Sequence, residues 1–124
     1  MKKTILVADD NEANRELISV ILQRQGYEVL EAPDGREALA IITRRRLDLV
    51  LLDIHMPELD GFETVRAIRQ SEQSRRLPVV ALTASAMAGD AEQALARGFT
   101  AYLAKPYEIS AVISLVQSLV GEAT

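Results

Sequence analysis

Leu49-Val50-Leu51-Leu52-Asp53 decides the architecture. Four consecutive aliphatic residues are too few for a helix and show no polar alternation, so they read as a strand buried on both faces that stops at a carboxylate. A strand of that kind needs a packed layer on each side. Outward from it, residues 4–8 form a second apolar run, Thr4-Ile5-Leu6-Val7-Ala8, ending at Asp9-Asp10. Residues 78–82 form a third run, ending at Thr83, and residues 27–32 and 100–103 read as two shorter strands.

Between the strands the apolar spacing lengthens to three and four residues, the period of an amphipathic helix. Leu17, Ile18, Ile21 and Leu22 give one such face, ended by Gly26. Asp34-Gly35-Arg36-Glu37 has the form of a capping box before a helix burying Ala38, Leu39, Ile41 and Ile42. Asp60-Gly61-Phe62-Glu63 repeats it before a helix with Phe62, Val65 and Ile68 inward. Residues 86–97 form an Ala-rich helix that buries little per residue and should be the most mobile. A last helix buries Ile109, Val112, Ile113, Val116 and Leu119 and closes at Gly121. Five βα units in series predict one α/β domain, a single doubly wound five-stranded parallel sheet with right-handed crossovers.

Bulk properties restrict the function. The chain has 124 residues, 48% hydrophobic and only 4% aromatic, so Leu, Ile, Val and Ala must build the core. A net charge of −4 argues against a dedicated nucleic-acid surface, which needs clustered cations. The run Arg44-Arg45-Arg46 falls at a predicted helix end, where cations complement the helix dipole. Without cysteine there is no disulfide or thiolate metal site, and no apolar run approaches the ~18 residues of a membrane span. The expectation is a cytoplasmic protein with neither nucleic acid nor membrane as partner.

Chemistry collects at the strand ends. Asp9 and Asp10 end the first strand, Asp53 the third and Thr83 the fourth, and Lys105 follows the fifth. In a parallel sheet those carboxyl ends share one edge, where ligands of open α/β sheets bind. Two carboxylates ~4 Å apart repel by about 4 kcal/mol at an effective dielectric of ~20, and one lysine does not neutralise three. Hard oxygen ligands without Cys or a required His suit Mg²⁺, which binds through one or two carboxylates plus a phosphate. N-capping of the following helix is the alternative use of Asp9 or Asp10, but capping needs only one of them.

Four spaced motifs carry a family resemblance. Val7-Ala8-Asp9-Asp10-Asn11, Leu51-Leu52-Asp53-Ile54-His55-Met56-Pro57 with Asp60-Gly61, Ala81-Leu82-Thr83-Ala84, and Tyr102-Leu103-Ala104-Lys105-Pro106 resemble the response-regulator receiver domain of two-component signalling. The resemblance spans the whole chain and implies the flavodoxin-like strand order 2-1-3-4-5. It implies that Asp53 accepts a phosphoryl group from a phosphohistidine on a histidine kinase or phosphotransfer protein. It further implies that Asp10, Asp53 and the His55 backbone carbonyl ligate Mg²⁺, with Asp9 acting through water. Lys105, aimed by a cis bond to Pro106, and Thr83 would meet the phosphoryl oxygens, and Tyr102 would be the switch. Helix four, strand five and helix five would form the face that partners read.

Residues 1–124 are accordingly expected to be one receiver domain without an output domain, and a signalling module rather than an enzyme with a separate substrate. Asn11-Glu12-Ala13-Asn14-Arg15 also resembles receivers of hybrid kinases and single-domain cell-cycle regulators. Two rival readings are a phosphorylation-independent binding module and a haloacid-dehalogenase-type phosphatase. The phosphatase would carry a second Asp two residues after its nucleophile, where this chain has His55. The receiver resemblance implies that this position influences water access to the phosphate. His55→Ala is therefore expected to change the dephosphorylation rate, and an unchanged rate removes that role.

Overall fold

The computed structural model describes residues 2–83 and 88–123, with residues 88–90 described by backbone alone. The order is β1 (Thr4–Ala8), α1 (Glu12–Arg24), β2 (Glu28–Ala32), α2 (Gly35–Arg44), β3 (Leu49–Asp53), α3 (Gly61–Gln70), β4 (Val79–Thr83), α4 (Ala88–Ala96), β5 (Ala101–Ala104) and α5 (Ile109–Val120). All pairings are parallel, in the order β2-β1-β3-β4-β5. The expected start of the fourth helix at Ala86 and the motif residue Ala84 lie outside the described residues.

Strand alternation splits the core in two. Leu6, Ala8, Val50, Leu52, Val79 and Ala81 meet Ala38 of α2, Val65 and Ile68 of α3 and Ala94 of α4. Ile5, Val7, Leu49, Leu51, Val80 and Leu82 meet Ile18, Ile21 and Leu22 of α1 and Val112 and Val116 of α5. The three central strands are buried at every position, which is why they carry no polar alternation.

Several predicted boundaries and faces shift. Tyr27 belongs to the end of α1: its N–H donates to Leu22 O at 3.2 Å and its hydroxyl to Gly121 O at 2.7 Å. Gly26 makes that reversal at φ +97°. The fourth strand begins at Val79 because Pro78 has no N–H for the ladder, although its carbonyl accepts from Val50 at 3.0 Å. Leu17 and Ile109 were expected inside but are 51% and 59% exposed. Leu17 sits one residue (~100° of helix) from the buried Ile18, and Ile109 occupies the first turn of α5, before the buried Val112 and Val116. Leu39, Ile41, Ile42, Ile113 and Leu119 are only half-buried. Phe62 is also half-buried, edge-to-face with Phe99 at 6.0 Å and beneath the Arg97 guanidinium at 4.0 Å.

Asp60 caps α3 through a complete capping box, accepting from Glu63 N at 2.8 Å while Glu63 accepts from Asp60 N at 3.1 Å. Asp34 accepts from Glu37 N at 2.9 Å at the start of α2. Gly61 does more than open a helix. Its N–H donates to Ile54 O at 2.8 Å, and a Cβ there would stand 2.6 Å from both Asp53 O and Ile54 Cα. Gly61→Ala must push backbone against backbone directly behind the acidic cluster, and should destabilise the fold by about 3 kcal/mol in urea denaturation. A loss under about 1 kcal/mol would mean that the loop yields freely.

Candidate functional site

Parallel register brings the strand ends to one edge: Ala8 lies opposite Leu52, Asp53 opposite Leu82, and Thr83 opposite Ala104. Asp9, Asp10 and Asp53 converge there, each offering a carboxylate oxygen within 4.8 Å of the others. Asp9 is fully buried, Asp53 is 4% exposed, and Asp10 is open to solvent. Lys105 Nζ reaches Asp53 Oδ2 at 3.2 Å and Asp9 Oδ2 at 3.4 Å, and the Lys105–Pro106 peptide is cis.

The local structure shows what each carboxylate is free to do. Asn11 is the actual N-cap of α1, accepting from Asn14 N at 3.0 Å, so neither aspartate is needed for capping. Asp9 Oδ1 accepts from Asn11 N at 2.9 Å, whereas the buried Asp9 Oδ2 accepts no aligned hydrogen bond and has Lys105 as its counter-charge. Asp53 Oδ1 accepts from His55 N at 3.0 Å. Thr83 is buried at the end of β4, Tyr102 is 42% exposed on β5, and the His55 side chain faces solvent.

Electrostatics agree with this geometry. Burial, above all, holds the Asp9 carboxyl above the usual range; Asp53 adds to the rise, and the Asn11 N–H and Lys105 oppose it. Burial alone would lower the Lys105 ammonium, but Asp53 and Asp9 together raise it above its ordinary value. Three carboxylates facing one ammonium leave negative charge uncompensated. A buried carboxylate oxygen without an aligned donor, beside two more carboxylates, is a hard-oxygen donor set that fits a divalent cation.

Two neighbours were not anticipated. Arg15 Nη1 donates to the Asp9 carbonyl at 2.8 Å while its Nε pairs with Glu31 at 3.1 Å, tying α1 and β2 to the loop that carries the cluster. Its position four residues after the N-cap was the available signal. Tyr107 has a buried hydroxyl without a hydrogen-bond partner, and burial, then Asp9 and Asp53, suppress its ionisation. Nothing in its local sequence distinguishes it from a core aromatic.

The family model for the response regulator receiver domain matches residues 5–117. This chain belongs to that family. As a receiver domain it is a signalling module of two-component systems. It is 36% identical to the polar-differentiation response regulator DivK of Brucella anthropi, over 99% of this chain and all of that one. Among solved structures, the chemotaxis protein CheY4 of Vibrio cholerae superposes with a TM-score of 0.91 at 34% identity, covering 96% of this chain and 99% of that one. The receiver domain of the sensor histidine kinase PA1611 of Pseudomonas aeruginosa, with a magnesium ion coordinated in its active-site cleft, gives 0.90 at 38% identity, covering 98% of this chain and 100% of that one. Among the described residues of this receiver, no helix is long and apolar enough to cross a membrane.

Proposed function

We propose that Asp53 is the phosphoacceptor of this receiver and that Mg²⁺ is its cofactor. The observation that carries the reading is the meeting of Asp9, Asp10 and Asp53 with Lys105 on one sheet edge, behind a strand that is otherwise entirely apolar. An Asp53 carboxylate oxygen attacks the phosphorus of a phosphohistidine, the P–N bond breaks, and the imidazole leaves with a proton. Asp10, Asp53 and the His55 carbonyl would hold the metal, with Asp9 acting through water. The bound cation supplies positive charge against the phosphoryl oxygens. Lys105 meets a second phosphoryl oxygen, and the Thr83 hydroxyl donates to a third. Attack of water on the acyl phosphate later returns Asp53 and releases inorganic phosphate, so the domain catalyses only its own phosphorylation and dephosphorylation.

Drawing Thr83 toward the phosphoryl group lets the Tyr102 ring turn inward, and the result is a population shift between two surfaces. Support comes from the half-exposed Tyr102 ring and from the groove of about 570 Å³ beside it, which Leu95, Leu103, Pro106 and Ala111 help to line. The donor is a histidine kinase or histidine phosphotransfer protein in the cytoplasm. The downstream protein reads the α4–β5–α5 face.

The test is the intact mass after incubation with acetyl phosphate, with and without Mg²⁺, followed by peptide mapping. One Mg²⁺-dependent phosphoryl group on the Asp53 peptide is expected. No adduct, together with no Mg²⁺ binding and no response to beryllofluoride, would favour the phosphorylation-independent module instead.

A further inference from the structure

The opposite edge of the sheet gathers charge of the other sign. A groove of about 750 Å³ opens between the end of α2 and the turn before β4, with Arg44, Arg45 and Arg46 on one wall and Arg75 and Arg76 on the other. A second groove of about 610 Å³ shares Arg45, Arg46 and Asp48 and adds Lys2, Lys3 and Glu28. This band holds seven of the fourteen Lys and Arg of a chain whose net charge is −4.

The cations are only partly offset locally, since five arginines line the first groove with two carboxylates, Asp48 and Glu72. Arg45 pairs with Glu28 at 2.7 Å, but Arg44, Arg46, Arg75 and Arg76 make no ion pair among the described residues. Asp48 keeps its charge, but its Oδ2 is held by Thr4 N at 2.8 Å and it forms no ion pair with these arginines. Both walls are braced. Arg69 Nη1 donates to Leu77 O at 2.6 Å and Arg75 O at 3.2 Å, and Ser74 Oγ donates to Ile68 O at 2.8 Å, which pins the turn bearing Arg75 and Arg76. Arg45 N donates to Ile41 O at 2.8 Å and closes α2. A helix-dipole role accounts for one arginine at the end of α2 and for neither arginine of the opposite wall.

We propose that this groove binds a small ligand carrying at least two phosphoryl groups. Guanidinium forks match phosphoryl oxygens bidentately and are the least costly cations to desolvate. The groove's size is that of a small-molecule site, and Ile42, Leu47, Leu77 and Pro78 provide an aliphatic surface for the ligand's remainder. Asp48 lies immediately before β3 and Asp53 at its end, so the groove sits roughly 15 Å from the phosphoacceptor. It is a separate site.

Isothermal titration in ~0.15 M salt tests the proposal, with EDTA present to keep Mg²⁺ from carrying phosphates to the acidic cluster. Pyrophosphate and ADP should bind with Kd below about 100 µM, and adenosine should not bind. The pair Arg46→Gln with Arg76→Gln, one from each wall, should weaken binding at least ~10-fold, since each guanidinium supplies a charge-assisted contact. The pair Arg36→Gln with Arg66→Gln removes the same charge elsewhere and should leave binding within about twofold. Equal losses in both pairs would reduce the effect to net charge and overturn the site. So would binding of a single-stranded oligonucleotide without binding of either small phosphate, which would make the band a nucleic-acid surface.

Discussion

Asp53→Asn should take up no phosphoryl group from acetyl phosphate and, in metal-free buffer, should melt several degrees above the unsubstituted protein. The chemical half of this result follows from the nucleophile: an amide oxygen does not form a stable acyl phosphate. The stability half follows from the charges. Asp9 and Asp53 are both buried with carboxylate oxygens within 4.8 Å, a repulsion of at least roughly 3.5 kcal/mol at an effective dielectric of ~20. Asp10 adds a smaller, solvent-screened share. The attraction lost from Lys105 at 3.2 Å is of comparable size, but the amide also removes the desolvation cost of a buried charge and still accepts the His55 N–H through Oδ1. The net relief is on the order of 1 kcal/mol, or about 4 °C in Tm for a domain of this size. Calorimetry in EDTA measures it. Loss of the fold would show the cluster to be structural and sink the account of the site.

Lys105→Met should move stability the other way. It deletes the ammonium that lies 3.2 Å from Asp53 and 3.4 Å from Asp9 and leaves the buried carboxylates without a cation. Removing one member of a buried charge cluster costs 3–5 kcal/mol when burial is complete; the lysine side chain keeps 21% exposure, so about 2–3 kcal/mol is expected. Millimolar Mg²⁺ should restore most of that loss, because a bound cation stabilises the folded state by mass action. Phosphorylation by acetyl phosphate should nonetheless fall by ~100-fold at saturating Mg²⁺, since one donor to the phosphoryl oxygens is gone. If Mg²⁺ restores no stability, the loss lies in packing of the lysine stem rather than in charge. If the phosphorylation rate is unchanged, Lys105 is structural.

The strands and helices of this protein were legible because their signals are short-range. Residues 49–53 announce a fully buried strand by their own run, and Asp34 and Asp60 announce helix starts by bonds three residues long. Parallel connectivity then places every carboxyl end on one edge, so the gathering of Asp9, Asp53, Thr83 and Lys105 could be anticipated once the strands were located. The strand order 2-1-3-4-5 came from the family motifs, and the structure bears it out.

What the sequence left open depends on contacts between distant segments. Asp9 and Asp10 are chemically identical neighbours, yet one is fully buried with Lys105, 96 positions away, as its counter-charge, and the other is exposed. Leu17 and Ile109 carry the same apolar signal as their buried neighbours, and only the way each helix packs on the sheet leaves them outside. Arg44, Arg45 and Arg46 read alone as a solvated helix end; the fold sets Arg75 and Arg76 across a groove from them. Propensity, period and capping act over three or four residues and are written in the chain. Burial of one aspartate rather than its neighbour, and the meeting of arginines from two separate turns, arise only when the sheet closes sequence-distant segments onto one another, and tertiary structure decides them.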